Sequence, residues 1–436
     1  IYDGTFSYRQ GRNEYQPNLP GPQRIGLNLA AGSGLYGVLR AVGTYKQGFF
    51  FKMRAGMGDT IFSPLYVVLK NRGVKFKFFH KVLNLSLSAD RSRIETIAME
   101  VQAKLKPERE EDGYDPIYTV KGVPSWPSEP FWDQLQDAGE LRKLPNLETY
   151  WNGGIHGEVR TFRIGEDFDS VVLGIAVGAL PYICPELVAD NPLWRNMVDR
   201  VETVKTQAVQ LWLHRTQKEV GFPDGQPLVL TGFTEPHDTW ANMDHLIPRE
   251  SWTREDNIRQ IAYFCNVAPE CTMPDCSIQC LPHRRIPGCP ASPPFTDTQF
   301  PIEQTELAKQ AGFRFLNESM PILWPKFRWD DVVGGSFDQQ FWRINVDPTE
   351  RYVLAVAGST KYRLKAWDSG YKNLILTGDW TYNPLSLGCV EASVLSGLMA
   401  SYAVCGYPEI WHGPMGQVQR IADIQYPKQA RAAGAV

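Results

Sequence analysis

Apolar positions change period along the chain, and each change predicts an element. In GDTIFSPLYVVLKNRG, Ile61, Leu65, Val68 and Leu69 recur at helical spacing. Asp59 or Thr60 can cap that helix, and Asn71, Arg72 and Gly73 close it. Residues 74–79 then read as one strand and 82–87 as a second. The continuous apolar run at 171–177 fits a strand of a parallel sheet, buried on both faces. Helix signals follow at 191–205, a strand at 206–216, and helices at 255–267 and 303–320. Near the end, Leu374, Ile375, Leu376 and Thr377 form a buried strand stopping at Gly378-Asp379. A loop leads into a last helix over about 390–403, and a shorter helix is expected at 35–42.

This order predicts an α/β protein: a parallel-sheet cofactor domain interleaved with a mixed α+β substrate domain. Its expected pieces are an arm and short helix at 1–44, and cofactor-domain parts at 45–105, 160–180 and 350–405. The substrate or cap domain takes 106–159 and 181–349, with a Cys-rich insertion at 265–301, and a tail follows at 406–436. Pro, Glu and Asp crowd 106–130, which reads as a loop.

At 43% hydrophobic and 21% charged, 436 residues can bury an ordinary globular core. A net charge of -3, with scattered Lys and Arg, excludes a nucleic-acid stripe. No apolar run approaches the roughly 18 residues of a transmembrane segment. The chain opens at Ile1 with no signal-peptide pattern, which reads as processed, trimmed or numbered from an internal point. Reduced thiols in a cytoplasmic setting are the expectation, with peripheral membrane association as the alternative.

The chemistry concentrates in the closing segment. Asp379 stands at the C-terminal end of a buried strand, where α/β sheets bind ligands, and a carboxylate there can accept hydroxyl hydrogen bonds. Gly388-Cys389-Val390-Glu391-Ala392-Ser393 opens the last helix, whose free N–H groups suit an electron-rich ligand edge. Gly388 lets backbone approach a planar ring. Trp380 and Tyr382 are candidates for a substrate-cavity wall, with core packing as the other reading.

An apolar strand, Gly-Asp, a variable loop and Gly-x-x-Glu-x-Ala/Ser at a helix start resemble the C-terminal FAD signature of the flavin amine oxidase and phytoene desaturase superfamily. Two further stretches are similar to that superfamily in the same order: RAGMGDTIFSPLYVVLKNRGVKFKFFHKV and VVLGIAVGAL. The resemblance implies FAD as cofactor, with Asp379 at the ribityl–pyrophosphate part. It places Gly378, Trp380 and the 388–393 turn (Gly388, Cys389, Val390, Glu391 and Ser393) near the ring, and the Gly56, Met57 and Gly58 turn and Val82 on the cofactor, Val82 at its adenine region. Activity would be FAD-dependent oxidation of a small-molecule substrate, an amine or amino acid, by hydride transfer. The alternatives are desaturation of an isoprenoid-like apolar substrate, or a non-catalytic scaffold subunit of a flavoprotein complex.

The superfamily begins with strand–GxGxxG–helix. Gly32-Ser33-Gly34-Leu35-Tyr36-Gly37 matches formally, but its helix is short and no acidic residue closes a second strand. The simpler account places the fingerprint on a second polypeptide carrying the N-terminal FAD-binding half.

Cys265, Cys271, Cys276, Cys280, His283 and Cys289 cluster without a C-x2-C knuckle. Cys271, Cys276, Cys280 and His283 are candidates for a metal, with disulfides or unlinked thiols as alternatives. His156, His237 and His245 read as surface or capped histidines, and no His–Asp or Cys–His constellation is present.

Overall fold

The computed structural model describes residues 28–44, 52–109, 112–222, 228–268, 295–412 and 418–424. Its regular elements begin with α1 (Ala31–Thr44), α2 (Ser63–Asn71), β1 (His80–Leu87), β2 (Ile94–Val101), β3 (Tyr118–Val120), β4 (Val123–Ser125), α3 (Ala138–Leu141), β5 (Glu158–Arg163) and β6 (Val171–Leu173). Next come α4 (Leu180–Ile183), α5 (Pro185–Asp190), α6 (Pro192–Arg200), β7 (Thr203–Leu213), β8 (Val229–Leu230), β9 (Thr239–Asn242), β10 (Gln260–Ala268), α7 (Phe300–Glu318) and α8 (Met320–Leu323). The chain closes with β11 (Phe341–Asn345), β12 (Tyr352–Val353), β13 (Leu374–Leu376), α9 (Val390–Cys405), β14 (Ile410–His412) and β15 (Val418–Arg420).

Three sheets organise these elements into a mixed α/β fold. The largest runs β11-β7-β10-β9-β8, with β12 also on β7, and is antiparallel. Alternation along β7 sends Val209, Leu211 and Leu213 to one face. There they meet Phe264 of β10, Trp240 of β9, Phe315 and Leu316 of α7, and Trp324. A second antiparallel sheet, β1-β2-β5, packs on α4 and α5. The third is β13 paired in parallel with β6. Leu173, Leu374, Leu376 and Trp380 bury one face of this pair against Leu85, Ile94 and Trp194. Ile375 lies on the other face, with Leu395 and Met399 of α9. Residues of β1, β2, β6, α4, α5, α6 and β13 thus share one core, and the described parallel sheet has two strands.

Several sequence expectations are corrected. Residues 255–267 are not helical: β10 pairs with β7 over nine residues. The run QIAYFCNVA is rich in aromatic and β-branched residues and lies between two strands, so sheet pairing overrides the helical reading. Residues 74–79 form no strand. Phe76 and Phe78 instead pack around Tyr66, Trp126 and Tyr114, and Phe79 takes φ 59°. The 171–177 run gives only the short β6, because the chain turns into helical geometry at Val177. The helix expected over 191–205 stops at Arg200, and β7 begins at Thr203. The helix expected near 61 opens as a π-turn over Gly58–Phe62 before Pro64 starts α2, and Gly73 ends it at φ 87°.

Gly32, Gly34 and Gly37 lie inside α1, not in a turn ahead of it. Gly34 packs under Leu29, and a side chain at Gly37 would meet Leu387 at 3.3 Å. The glycines therefore serve close helix packing, with no strand–turn–helix context in the described residues.

Candidate functional site

The site is built where β13 ends. Gly378 takes φ 124°, and an added Cβ would lie 2.5 Å from the Trp380 indole nitrogen, so only glycine fits this turn. The turn is tied to α9: Gly378 N donates to Ser396 Oγ at 2.8 Å, and the Thr377 and Ser396 hydroxyls are 3.2 Å apart. Thr381 closes it by donating from both N and Oγ1 to the Gly378 carbonyl. Asp379 follows, partly exposed. Burial raises its carboxyl pKa, against the lowering effect of Arg363 and of backbone N–H groups at Asp379 and Trp380.

Arg363 is the site residue that sequence reading missed. It is wholly buried. Nη1 donates to the Asp379 carbonyl at 2.5 Å and Nη2 to the Leu354 carbonyl at 3.0 Å, while Nε has no partner among the described residues. Desolvation lowers its pKa to about 10, with the Asp379 charge opposing. KYRLKAW carries no pattern separating this arginine from a solvated one. The one available signal was its apolar setting, shortly before β13.

The second half of the site is the turn into α9. Gly388 does approach a planar ring closely, and that ring is Tyr352. An added Cβ would lie 2.6 Å from Tyr352 Cζ and 2.9 Å from the Val353 carbonyl oxygen. The Tyr352 hydroxyl donates to the Gly388 carbonyl. Cys389 is the N-cap, extended at φ -158° with no side-chain cap, and burial raises its thiol pKa. Val390, Glu391 and Ser393 are exposed. The first turn of α9 therefore has Val390, Glu391 and Ser393 on its exposed side, and Cys389 lies near the partly exposed Asp379.

The remaining expected residues fall around this centre or away from it. Val82, on β1, packs against the same core cluster as Trp380. Gly56, Met57 and Gly58 lie elsewhere, beside Trp126: Asp59 accepts from Trp126 N, and a side chain at Gly58 would meet the indole at 3.3 Å. Trp380 is 1% exposed and Tyr382 9%, packed in separate clusters on the two faces of the strand pair. Cys271, Cys276, Cys280 and His283 lie outside the described residues. Within those residues no group of His, Cys, Asp and Glu could hold a metal, and Cys184, Cys265, Cys389 and Cys405 are free thiols.

Among the histidines, His156 and His245 are held through main-chain carbonyls, of Asn152 and Met53. His237 overturns its surface reading. It is 1% exposed, neither ring nitrogen has a partner among the described residues, and desolvation lowers its pKa to about 3. An open cleft lined by Lys309, Phe313, Trp329 and Phe337 lies between α7 and the 329–338 turns, away from Asp379.

No protein-family model matches the chain, and no curated protein matches it. Among solved structures it is similar to an oxidoreductase from Methanosarcina mazei, at 11% identity and a TM-score of 0.40. That match covers 76% of this chain and 51% of the other, so the chain spans about half the length of that protein. A likeness at this level carries no assignment of family or activity. No helix among the described residues is long and apolar enough to cross a membrane.

Proposed function

We propose that the chain forms the C-terminal, cofactor-facing part of an FAD-dependent oxidoreductase that oxidises a substrate C–H bond. The observation that carries this reading is the pairing of Asp379, at the C-terminal end of a parallel strand, with the open first turn of α9. The Asp379 carboxylate is held by backbone N–H groups with no side-chain donor, and it lies near enough to Cys389, the N-cap of α9, for the two to interact electrostatically. Ligand hydroxyls and an electron-rich ring edge complement such a pair.

The residues fit FAD in part. Asp379 would accept hydrogen bonds from its hydroxyls, and the N–H groups at 390 and 391 would face the electron-rich end of its ring. Gly388 contributes indirectly, because its missing side chain admits Tyr352 and fixes the turn. When bound, FAD supplies a hydride acceptor. The chain's own residues hold and orient: Arg363 and Tyr352 fix the two ends of the 379–388 loop through backbone carbonyls, and the buried Trp380 excludes water beneath the turn. No strong base is required of the chain for such a reaction. The substrate class follows the resemblance, an amine or amino acid, and a second polypeptide would complete the cofactor domain.

The test is a visible absorption spectrum of material purified from its natural source, followed by anaerobic mixing with amines and amino acids. Flavin bands that bleach with one of these classes support the reading. Flavin-free native material removes it.

A further inference from the structure

The cleft between α7 and the 329–338 turns sets both signs of charge over aromatic rings. Glu306, Lys309, Gln310 and Phe313 line it from α7, spaced so that they share one stripe of the helix. The opposite wall is Trp329 with the turn over 336–338, which the chain reaches through Gly334 and Gly335 at φ 75° and 59°.

The rings form a corner. Phe313 stacks on Trp329, with centroids 5.2 Å apart and planes 19° apart. Phe337 stands at 83° to Trp329, with centroids 5.5 Å apart. The corner is held from behind: Trp329 Nε1 donates to Asn317 Oδ1 at 3.1 Å, and Phe337 packs on Trp342 at 4.2 Å. Phe313 still leaves 48% of its surface exposed. At the rim, Lys309 Nζ lies 3.1 Å from Glu306 Oε1 and 3.7 Å from Asp338 Oδ1. The Asp338 side chain is 81% exposed, so this longer pair is weak enough to exchange for a ligand ammonium. The cleft encloses about 490 Å³, within the range of small-molecule sites.

We propose that this cleft binds a free amino acid with an aromatic or branched apolar side chain. Asp338 and Glu306 take the α-ammonium, Lys309 takes the α-carboxylate, and the side chain lies in the corner of Phe313, Trp329 and Phe337. An organic cation without a carboxylate would have to compete with Lys309 for both rim carboxylates. An anion without an ammonium would face those carboxylates unpaired. A zwitterion answers both signs at once. The site is separate from the Asp379 centre, and the inference does not rest on the cofactor reading.

The test is calorimetric titration of the full 436-residue chain with L-phenylalanine, L-phenylalaninamide and N-acetyl-L-phenylalanine. The amide keeps only the ammonium, and the acetyl derivative only the carboxylate. The proposal expects a Kd below about 1 mM for L-phenylalanine and at least about fivefold weaker binding of each derivative. Lys309→Met should weaken L-phenylalanine at least about fivefold and tighten the amide, whose ammonium then has no competitor. Asp338→Asn should weaken both. Asp379→Ala should bind L-phenylalanine as wild type does. Binding that persists in flavin-free protein supports the cleft whatever becomes of the cofactor reading.

No binding of L-phenylalanine at about 10 mM would overturn the proposal. So would a derivative that binds as tightly as the amino acid, or unchanged L-phenylalanine affinity in both rim variants. Loss of binding in Asp379→Ala would overturn it too, since the amino acid would then lie at the Asp379 centre.

Discussion

Arg363 and Asp379 meet through the main chain: the guanidinium Nη1 donates to the Asp379 carbonyl at 2.5 Å. The charge that lies nearest the candidate carboxylate therefore holds the backbone in place while the side chain stays available.

Arg363→Lys should cost about 2 kcal/mol, because an ammonium cannot fork to both the Asp379 and Leu354 carbonyls, and a hydrogen bond from a charged donor contributes roughly 1.5–3 kcal/mol. Urea unfolding of the lone chain measures this. A cost under about 0.5 kcal/mol would show that the clamp is not formed.

Asp379→Asn separates stability from binding. Burial raises the Asp379 pKa, so the folded state holds its proton to higher pH than the unfolded chain. The contribution of this group is fully present below the ordinary carboxylate value of about 3.9 and is lost as pH rises through the folded value. At pH 7 the ionised group costs stability. The flavin-free Asn variant should then be at least as stable as wild type at pH 7, with a flatter pH dependence above pH 4. Thermal melts at a series of pH values check this, and a large loss of stability at pH 7 would contradict it.

His237 works in the opposite direction. Its folded pKa, about 3, lies below the unfolded value of about 6.5, so the unfolded chain takes up the proton first as pH falls. Stability is intact above the unfolded value and drops by about 1.4 kcal/mol per pH unit below it. His237→Phe keeps an aromatic ring beside Phe315 and Trp342 and removes the titration. Between pH 6.5 and 5 the variant should lose about 2 kcal/mol less than wild type. Equal losses in denaturant titrations would contradict the assignment.

How much of this was legible in the sequence depends on range. The strand ending at Gly378-Asp379 and the α9 helix were readable, because local apolar runs and glycine placement specify them. The β10 strand reads ambiguously because its aromatic and β-branched residues are only a weak local signal, and the pairing with β7 that decides it is a long-range contact. Arg363 was invisible for a similar reason: Leu354 and Asp379, whose carbonyls it bonds, lie 9 and 16 residues away. Gly388 was recognised as a close-approach glycine, but the ring it admits, Tyr352, sits 36 residues earlier.

Gly388→Ala tests that contact. The added methyl would press on Tyr352 and on the Val353 carbonyl, an overpacking cost of about 1–3 kcal/mol. In a double-mutant cycle with Tyr352→Leu, part of the cost should disappear as positive coupling. Additive effects would mean that the ring can move aside freely.

The central claim is that Asp379 holds the cofactor. Flavin per chain should be measured in native-source material for wild type and Asp379→Ala, alongside the melting temperature of each. The account predicts stoichiometric flavin in wild type and loss of most of it in a variant that still folds. A folded Asp379→Ala protein with undiminished flavin would contradict it.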